Sequence, residues 1–357
     1  MMDHPSTHNI DPVRREFYDR IKPTSLAPLW EVLHGLVTKE PNTIIKAHRW
    51  KYDTDVRPYL MEACKLITAK EAERRVLILE NPALTGQAKV TRSLFAGLQI
   101  ILPGEVAPPH RHTPAALRFV IEGEGAYTAV DGERTMMKPG DFVITPSWTW
   151  HDHGNVGDKP MVWLDGLDMH LVNLCEGCFL ERTGSDDPRE PDRPEGDSSA
   201  RYGNNLLPVD DDYNAPTSPV FNYPYERTRE ALEQMRKRDV WSPWHGLKLK
   251  YSNPKTGDYA IPTMATFIQL LPKGFKSQPY RSTDGTVYSV VEGKGRTIVT
   301  GPDGTKTTLA WGPRDVFVVP SWLWHTHEAL EDAVVFSFSD RPVQEKLGLW
   351  REMRGNA

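Results

Sequence analysis

Three of the four histidines within residues 104–155 restrict what this chain can fold into more than any other feature. His110 and His112 form an H-x-H pair on a predicted β-strand, and His151 follows on a separate predicted strand. Side chains on a strand point to the same side at every second residue, so the pair faces one side together. His151 can then approach the pair from across a small barrel. Three converging imidazoles form a facial metal site with open coordination positions.

The surrounding sequence predicts a barrel. Strand-like apolar runs at 75–79 and 93–102 precede the histidines, and turn sequences such as Gly123-Glu124-Gly125 and Asp131-Gly132 separate the later runs. Many short strands with regularly spaced turns are typical of a small β-barrel or jelly roll.

The second half of the chain repeats the first. Residues 271–295 correspond to 102–125, and VPSWLWHTH at 319–327 corresponds to TPSWTWHDH at 145–153. The second copy therefore lacks two of the three histidines, and we predict one working metal site and one structural copy. The alignment places Tyr280 opposite His110, Ser282 opposite His112, Tyr288 opposite Arg118, His325 opposite His151 and His327 opposite His153.

These residues resemble the two sequence motifs of the cupins, G-x5-H-x-H-x3,4-E-x6-G and G-x5-P-x-G-x2-H-x3-N. In the first motif, Arg118 stands where the metal-binding glutamate would be. In the second, Trp148 stands where the last glycine would be. A site of three neutral imidazoles beside a fixed cation is suited to an anionic chelating ligand. The matching positions are Gly104, His110, His112 and Gly125 in the first motif, and Gly140, Pro146, His151 and Asn155 in the second.

Among the cupins, the chain resembles the gentisate 1,2-dioxygenase group, which includes salicylate and 1-hydroxy-2-naphthoate 1,2-dioxygenases. The resemblance runs from about residue 15 to 353 and is strongest in HRHTPAALRFVIEGEG, TPSWTWHDHGN and WLDGLD. It implies an all-β core in the form of a bicupin, meaning two jelly-roll β-barrels, with an N-terminal helical extension and a short C-terminal helix. It also implies a homotetramer.

The same resemblance implies an activity. One Fe(II) per chain would be held by His110, His112 and His151, although three imidazoles also suit zinc, nickel, cobalt or manganese. With O2, the enzyme would cleave a 2-hydroxybenzoate between the carboxyl-bearing and hydroxyl-bearing carbons, converting gentisate to maleylpyruvate. Arg74 and Arg118 would hold the substrate carboxylate. The remaining polar groups implied by the resemblance are His153 as a hydrogen-bonding and proton-transfer group, with Gln99 and Asp165 completing the lining.

Other functions stay open. Salicylate or 1-hydroxy-2-naphthoate is an alternative substrate, and cupins also include sugar isomerases and non-catalytic binding or storage proteins. An isomerase would be expected to keep the glutamate that Arg118 replaces. A storage protein would not need a polar shell around an intact triad in only one barrel.

Pattern changes along the chain predict its organisation. We expect a helical or irregular extension at 1–72, a barrel with the metal site at 73–183, a linker with a short helix at 184–240, and a degenerate barrel at 241–357. The segment 184–219 is rich in Pro, Gly, Ser and charge, which is typical of a linker or mobile loop. Helices are predicted at 14–21, 29–38, 53–68 (capped by Asp53 or Thr54), 226–238 and 342–354.

Composition excludes several classes of partner. Lys plus Arg total 43 and Asp plus Glu total 48, a net charge of −5 that argues against a nucleic-acid partner. No apolar run approaches the roughly 20 residues of a membrane span. The start carries no apolar signal-peptide core, and three cysteines suit a reducing compartment, so a cytoplasmic protein is expected. Cys175 and Cys178 form a single C-x-x-C, a weak signal for zinc or redox use.

Overall fold

A computed structural model describes residues 11–185, 187–238 and 240–355. The chain forms two compact units, Met1–Asn42 and Thr43–Ala357. The first contains helices α1 (Pro12–Ile21) and α2 (Leu29–Leu36), close to the predicted bounds. Pro12 occupies the first turn of α1, and the Asp11 carboxylate caps it by accepting from the Val13 N–H at 3.0 Å. None of the helices in the described ranges is long and apolar enough to cross a membrane.

The first barrel consists of two antiparallel sheets, one of six strands and one of five. Their orders are β12-β8-β5-β10-β3-β2 and β11-β4-β9-β6-β7. The strands are β2 (Arg75–Ile78), β3 (Phe95–Ile101), β4 (Val106–His112), β5 (Ala116–Glu122), β6 (Ala126–Val130), β7 (Glu133–Met136), β8 (Phe142–Thr145), β9 (His151–Asn155), β10 (Met161–Leu167), β11 (Leu180–Arg182) and β12 (Asn222–Tyr223).

The second barrel has the same design. Its sheets have the orders β1-β19-β16-β21-β14-β13 and β18-β17-β20-β15-β22. The strands are β1 (His48–Trp50), β13 (Leu247–Lys250), β14 (Ala265–Leu271), β15 (Tyr280–Ser282), β16 (Thr286–Glu292), β17 (Gly295–Thr300), β18 (Lys306–Trp311), β19 (Val316–Val319), β20 (Trp324–Ala329), β21 (Ala333–Ser339) and β22 (Glu352–Arg354). The fold is therefore the predicted all-β bicupin, in which both copies keep the same strand order.

The helices of the second unit lie outside the sheets. The helix predicted at 53–68 is instead a π-helical turn, Tyr52–Val56, followed by α3, because Pro58 suits only the first turn of an α-helix. The α-helices of the second unit are α3 (Arg57–Leu66), α4 (Ala69–Ala72), α5 (Met169–Leu174), α6 (Asp197–Tyr202), α7 (Tyr225–Arg236) and α8 (Arg341–Lys346).

Two terminal segments serve as edge strands, which the sequence did not predict. β1, from the predicted extension, pairs with β19 of the second barrel. The C-terminal helix predicted at 342–354 ends at Lys346, and the chain continues into β22, which pairs with β15. Edge strands of this kind satisfy backbone groups that would otherwise be left unpaired.

The segment predicted as a linker is partly ordered against the first barrel. Helix α6 lies within it, and the buried carboxylate of Glu133 accepts hydrogen bonds from the backbone N–H groups of Gly196 and Ser198. The segment thus satisfies a buried charge on β7 although it has few apolar residues of its own.

The two barrels share one hydrophobic core. Phe119 of β5 stacks on Phe336 of β21 with ring centroids 4.1 Å apart, and Phe142 of β8 lies 5.6 Å from the same ring. Gly166 on β10 leaves room for Phe338, since a Cβ there would lie 2.8 Å from that ring. The mutual contact buries the sheet faces that would be exposed in a separate barrel.

A reciprocal pair of hydrogen bonds joins the barrels. Asp168, just before α5, accepts from the Thr263 hydroxyl of the second barrel at 2.5 Å, and its other oxygen accepts from the Ala115 N–H at 2.8 Å. Asp340, just before α8, accepts from the Ser93 hydroxyl of the first barrel at 2.7 Å. Each barrel thus contributes one carboxylate and one hydroxyl, related by the internal repeat.

These carboxylates give folding stability a pH dependence. Burial raises the pKa of both Asp168 and Asp340 from 3.8 to about 6, so the folded state binds protons that the unfolded state releases. The stabilisation is complete below pH 3.8 and is lost as the pH rises through 6. In the Asp168→Asn/Asp340→Asn variant, we expect unfolding free energy to depend less on pH by on the order of 2 kcal/mol per site between pH 4.5 and 7.5.

Urea denaturation at several pH values measures this difference. Asparagine keeps the shape and can still bond the neighbouring hydroxyl, so the variant should fold. Equal pH slopes for the parent protein and the variant would contradict the assignment.

Candidate metal centre

The three predicted histidines meet inside the first barrel. His110 and His112 lie on β4, and His151 lies on β9, directly opposite His110 in the strand register. Candidate ligand atoms of the three residues all lie within 4.8 Å of one another. Each Nδ1 lies close to a backbone carbonyl oxygen: Pro108 at 2.9 Å, Pro114 at 2.7 Å and Thr149 at 2.9 Å. Donation to these carbonyls places the proton on Nδ1 and leaves each Nε2 lone pair free.

The triad fits a divalent metal. The Nε2 atoms of His110 and His151 are buried, and neither has a hydrogen-bond partner among the described residues. Burial lowers the pKa of His110 to about 3 and of His112 to about 4, and it lowers that of His151 well below its usual value. Neutral imidazoles with unused lone pairs are the form that binds metal. Among the described residues, no other group of three histidine, cysteine or acidic side chains has this geometry.

A cation–π stack holds the ligand strand from outside. Arg111, between the two ligands of β4, points away from them and lies over the rings of Trp148 and Trp150, at 4.4 and 4.9 Å from the centroids. Trp148 replaces the motif glycine but keeps its left-handed backbone, with φ at 60°. The backbone N–H of Trp148 donates to the backbone carbonyl of His112 at 2.8 Å. Contacts with aromatic rings stabilise an arginine by about 1 kcal/mol each, which helps offset the backbone strain.

The same stack recurs in the second barrel. Arg281 lies over Trp322 and Trp324 at 4.4 and 4.7 Å, and Trp322 again has φ at 60°. Because it occurs in the barrel without a triad, the stack supports the barrel and is not specific to the metal centre.

Arg118 is buried behind the triad. Its guanidinium donates to the Thr145 hydroxyl at 2.5 Å and to Nε2 of His153 at 2.9 Å, and its Nε lies 3.7 Å from an Asp165 oxygen. Burial lowers its pKa only to about 10, so it remains a cation at neutral pH. The position at which the first motif expects a glutamate therefore carries a buried positive charge.

Thr128 accepts the ring proton of His153, and it was missed in the sequence. Its hydroxyl lies 2.7 Å from Nδ1 of His153, while Arg118 donates to Nε2 on the other side of the ring. The proton must therefore lie on Nδ1. The repeat carries a signal, since Thr297 contacts His327 in the same way at 2.8 Å. When Gly125 is aligned with Gly295, however, Tyr127 and not Thr128 lies opposite Thr297. This offset of one residue conceals the correspondence between Thr128 and Thr297 in the sequence.

Asp165 lies between a cation and an indole. The Trp163 N–H donates to its carboxylate at 3.0 Å, and burial raises its pKa to about 6 despite the nearby charge of Arg118. Gln99, on the neighbouring strand, is 3% exposed. Both were predicted as part of a polar lining, and both line the same cavity beside the metal centre.

A cavity of about 410 Å³ opens beside the centre. The lining combines the predicted polar groups with apolar side chains, which include Val76, Phe95, Phe179 and Leu180. Cys178 also reaches the cavity and is exposed. The lining residues are Arg74, Val76, Phe95, Gln99, His112, Pro114, Ala116, Arg118, Asp165, Leu167, Met169, Cys178, Phe179 and Leu180.

The equivalent space in the second barrel is filled. Strand register places Phe267 where the first barrel has Gly97, and Lys248 where it has Val76. The cavity there measures only about 20 Å³. Tyr280 and His325 remain opposite each other, with ring centroids 5.6 Å apart. Loss of ligands is thus accompanied by loss of space.

Substitution in the two barrels separates their roles. We expect His112→Ala to lose the bound metal and the activity together, because two imidazoles hold a divalent ion weakly. His325→Ala, at the corresponding place in the second barrel, should keep the metal content and turnover of the parent protein. Elemental analysis of metal per chain measures both. Loss of metal in His325→Ala would contradict a single centre in the first barrel.

The fold and the centre together define a class, a bicupin with one three-histidine metal centre. A model of the cupin domain matches residues 97–167. The chain is 58% identical to gentisate 1,2-dioxygenase 1 of Aquipseudomonas alcaligenes over 96% of each chain. It belongs to the gentisate 1,2-dioxygenase family and is a ring-cleaving dioxygenase.

Two further similarities describe the breadth of this family. A 5-aminosalicylate 1,2-dioxygenase from a Comamonas species is 39% identical over 92% of this chain and 87% of its own. The crystal structure of a salicylate 1,2-dioxygenase from Pseudoaminobacter salicylatoxidans as an adduct with gentisate aligns with a TM-score of 0.91. That alignment has 32% identity over 100% of this chain and 98% of the other.

Proposed function

We propose that this enzyme uses Fe(II), one per chain, to cleave gentisate with O2 between its carboxyl-bearing and hydroxyl-bearing carbons. The observation that carries the proposal is the combination of a neutral three-histidine centre with the buried cation of Arg118 at one cavity. Iron, when bound to His110, His112 and His151, supplies the redox chemistry that lets O2 react with the ring.

The positive groups of the cavity bind the substrate carboxylate. Arg118 is held by Thr145 and Asp165, so its guanidinium is already oriented before substrate enters. Arg74 also lines the cavity and supplies a second positive charge. A guanidinium binds a carboxylate with two parallel hydrogen bonds, which orients the ring as well as holding it.

His153 is placed to move a proton at the ring hydroxyl. Its neutral Nε2 accepts from Arg118, and burial keeps its pKa well below the usual value. When the substrate carboxylate engages Arg118, that Nε2 becomes free to accept a proton or hydrogen bond from the substrate. Gln99 and Asp165 complete the polar side of the cavity.

The overall reaction balances with O2 alone. Both oxygen atoms enter the product, and the carbon that carried the hydroxyl becomes a second carboxylate. A singly charged substrate therefore gives a doubly charged, ring-opened product and releases one proton at neutral pH. For gentisate, this product is maleylpyruvate.

Oxygen consumption tests the substrate assignment. We expect the iron-loaded enzyme to consume O2 with gentisate and form one maleylpyruvate per O2, measured with an oxygen electrode and by absorbance. Salicylate, 1-hydroxy-2-naphthoate and 5-aminosalicylate serve as comparison substrates. Faster turnover of one of these would replace gentisate in the assignment, and no uptake with any of them would contradict the dioxygenase proposal.

Replacing Arg118 tests the carboxylate site. We expect Arg118→Ala to keep most of its iron. Its kcat/KM for gentisate should fall by an amount equivalent to about 2 to 4 kcal/mol of transition-state stabilisation, because the buried substrate carboxylate would lose its paired cation. Arg118→Lys keeps the charge without the two-pronged geometry and should recover only part of the loss. Steady-state kinetics with iron analysis measure both variants. Unchanged kcat/KM in Arg118→Ala would place the carboxylate elsewhere.

We also propose a homotetramer located in the cytoplasm. Helix α2 supports the assembly, since Leu29, Trp30, Val32, Leu33 and Leu36 are all exposed on the single chain. Exposed apolar surface on this scale is typical of an interaction site. Analytical ultracentrifugation gives the mass of the assembly, and a monomeric mass would contradict it.

A further inference from the structure

A second cavity adjoins the first on the other side of Arg74. It measures about 420 Å³ and is bordered by α4, by the Val106–His110 part of β4, and by Arg182 with the residues that follow it. Arg74 lines both cavities, and His110 belongs to the wall of the second. The two cavities therefore share the Arg74 side chain, and the second lies against the metal-ligand residue His110.

The wall of this second cavity is cationic. Lys70, Arg74 and Arg182 contribute three positive charges, and Glu73 contributes one negative charge. Glu73 pairs with Arg182 at 2.6 Å, whereas neither Lys70 nor Arg74 forms an ion pair within the described part of the chain. Together, these four side chains carry a net charge of +2. Such a wall attracts anions and binds a doubly charged one more strongly than a singly charged one.

If the proposed function holds, the first cavity suits the chemistry of the substrate and the second suits that of the product. The substrate carries one charge and an aromatic ring, and the first cavity offers apolar side chains such as Phe95 and Phe179 beside its cations. The product has lost the ring and carries two carboxylates. Its chemistry suits the second cavity, which keeps apolar residues such as Val106 and Pro108 but has a more polar lining that includes Lys70 and Arg182.

We propose that the second cavity is a dicarboxylate-binding site through which the ring-opened product leaves, with Lys70 and Arg182 binding its new carboxylate. Arg74 lines both cavities, so its guanidinium can pair with a carboxylate of the substrate in the first cavity or of the product in the second. Separate routes allow the product to depart without crossing the face where the next aromatic substrate enters.

Maleate, a dicarboxylate without a ring, and benzoate, an aromatic monocarboxylate, are the probes. In the double variant Lys70→Gln/Arg182→Gln, we expect maleate binding to the iron-loaded enzyme to weaken roughly 10-fold by isothermal titration, as two exposed charge contacts are lost. Benzoate affinity should change less than 2-fold. The difference for maleate should shrink as salt is raised, because these charges are partly exposed.

The matched control lies in the second barrel. Lys294→Gln/Arg296→Gln also removes one lysine and one arginine, each paired with a carboxylate on the surface. It should leave both affinities unchanged. Product inhibition by maleylpyruvate, measured from progress curves, should weaken only in the Lys70→Gln/Arg182→Gln variant.

Two results would overturn the proposal. One is equal maleate affinity in the parent enzyme and in Lys70→Gln/Arg182→Gln. The other is an equal loss of maleate and benzoate affinity, which would mean one shared anion site. Gentisate turnover by the parent enzyme is measured separately, so failure of this proposal is distinguishable from failure of the substrate assignment.

Discussion

The buried guanidinium of Arg118 is the constraint on which the arrangement of the site depends. Burying a cation costs several kcal/mol unless it is paired and hydrogen-bonded. Here Thr145 and His153 accept hydrogen bonds from the two terminal nitrogens, and Asp165 supplies an opposing charge 3.7 Å from Nε, which has no hydrogen-bond partner among the described residues. Those partners come from three different strands, so the cation determines how β8, β9 and β10 are arranged around the cavity. A metal bound by three neutral imidazoles beside it keeps its full charge, and an anionic substrate is required to balance both.

Comparison of the two internal repeats shows what accompanies the histidine triad in one barrel and its absence from the described residues of the other. Both barrels keep the strand order, the tryptophan–arginine stack and a Thr–His pair, because these features stabilise a jelly roll whether or not a metal binds. In the second barrel, Phe267 occupies the position of Gly97, and its ring lines a cavity of only about 20 Å³. The second barrel is joined to the first by the stack of Phe119 on Phe336.

Sequence patterns predicted the triad, the cation and the one-sided repeat, because each depends on local spacing within a strand. They did not predict Thr128, Phe179 or Leu180 at the site. Thr128 faces His153 only through the pairing of β6 with β9, and a one-residue difference between the copies conceals it. Phe179 and Leu180 reach the cavity because β11 adds to the edge of β4. The roles of Arg74, Gln99, Asp165 and His153 toward substrate remain predictions.

The sequence alone determined the chemistry of this protein: which side chains hold a metal, which charge stands beside them, and which half of the chain carries both. These properties follow from residue identity and the two-residue period of a strand. Only the tertiary structure decided the edges and the space. His48–Trp50 and Glu352–Arg354 became edge strands of the second barrel, and a cationic cavity formed where α4, β4 and the segment after β11 meet. Contacts between segments so distant in sequence depend on packing, which no local pattern encodes.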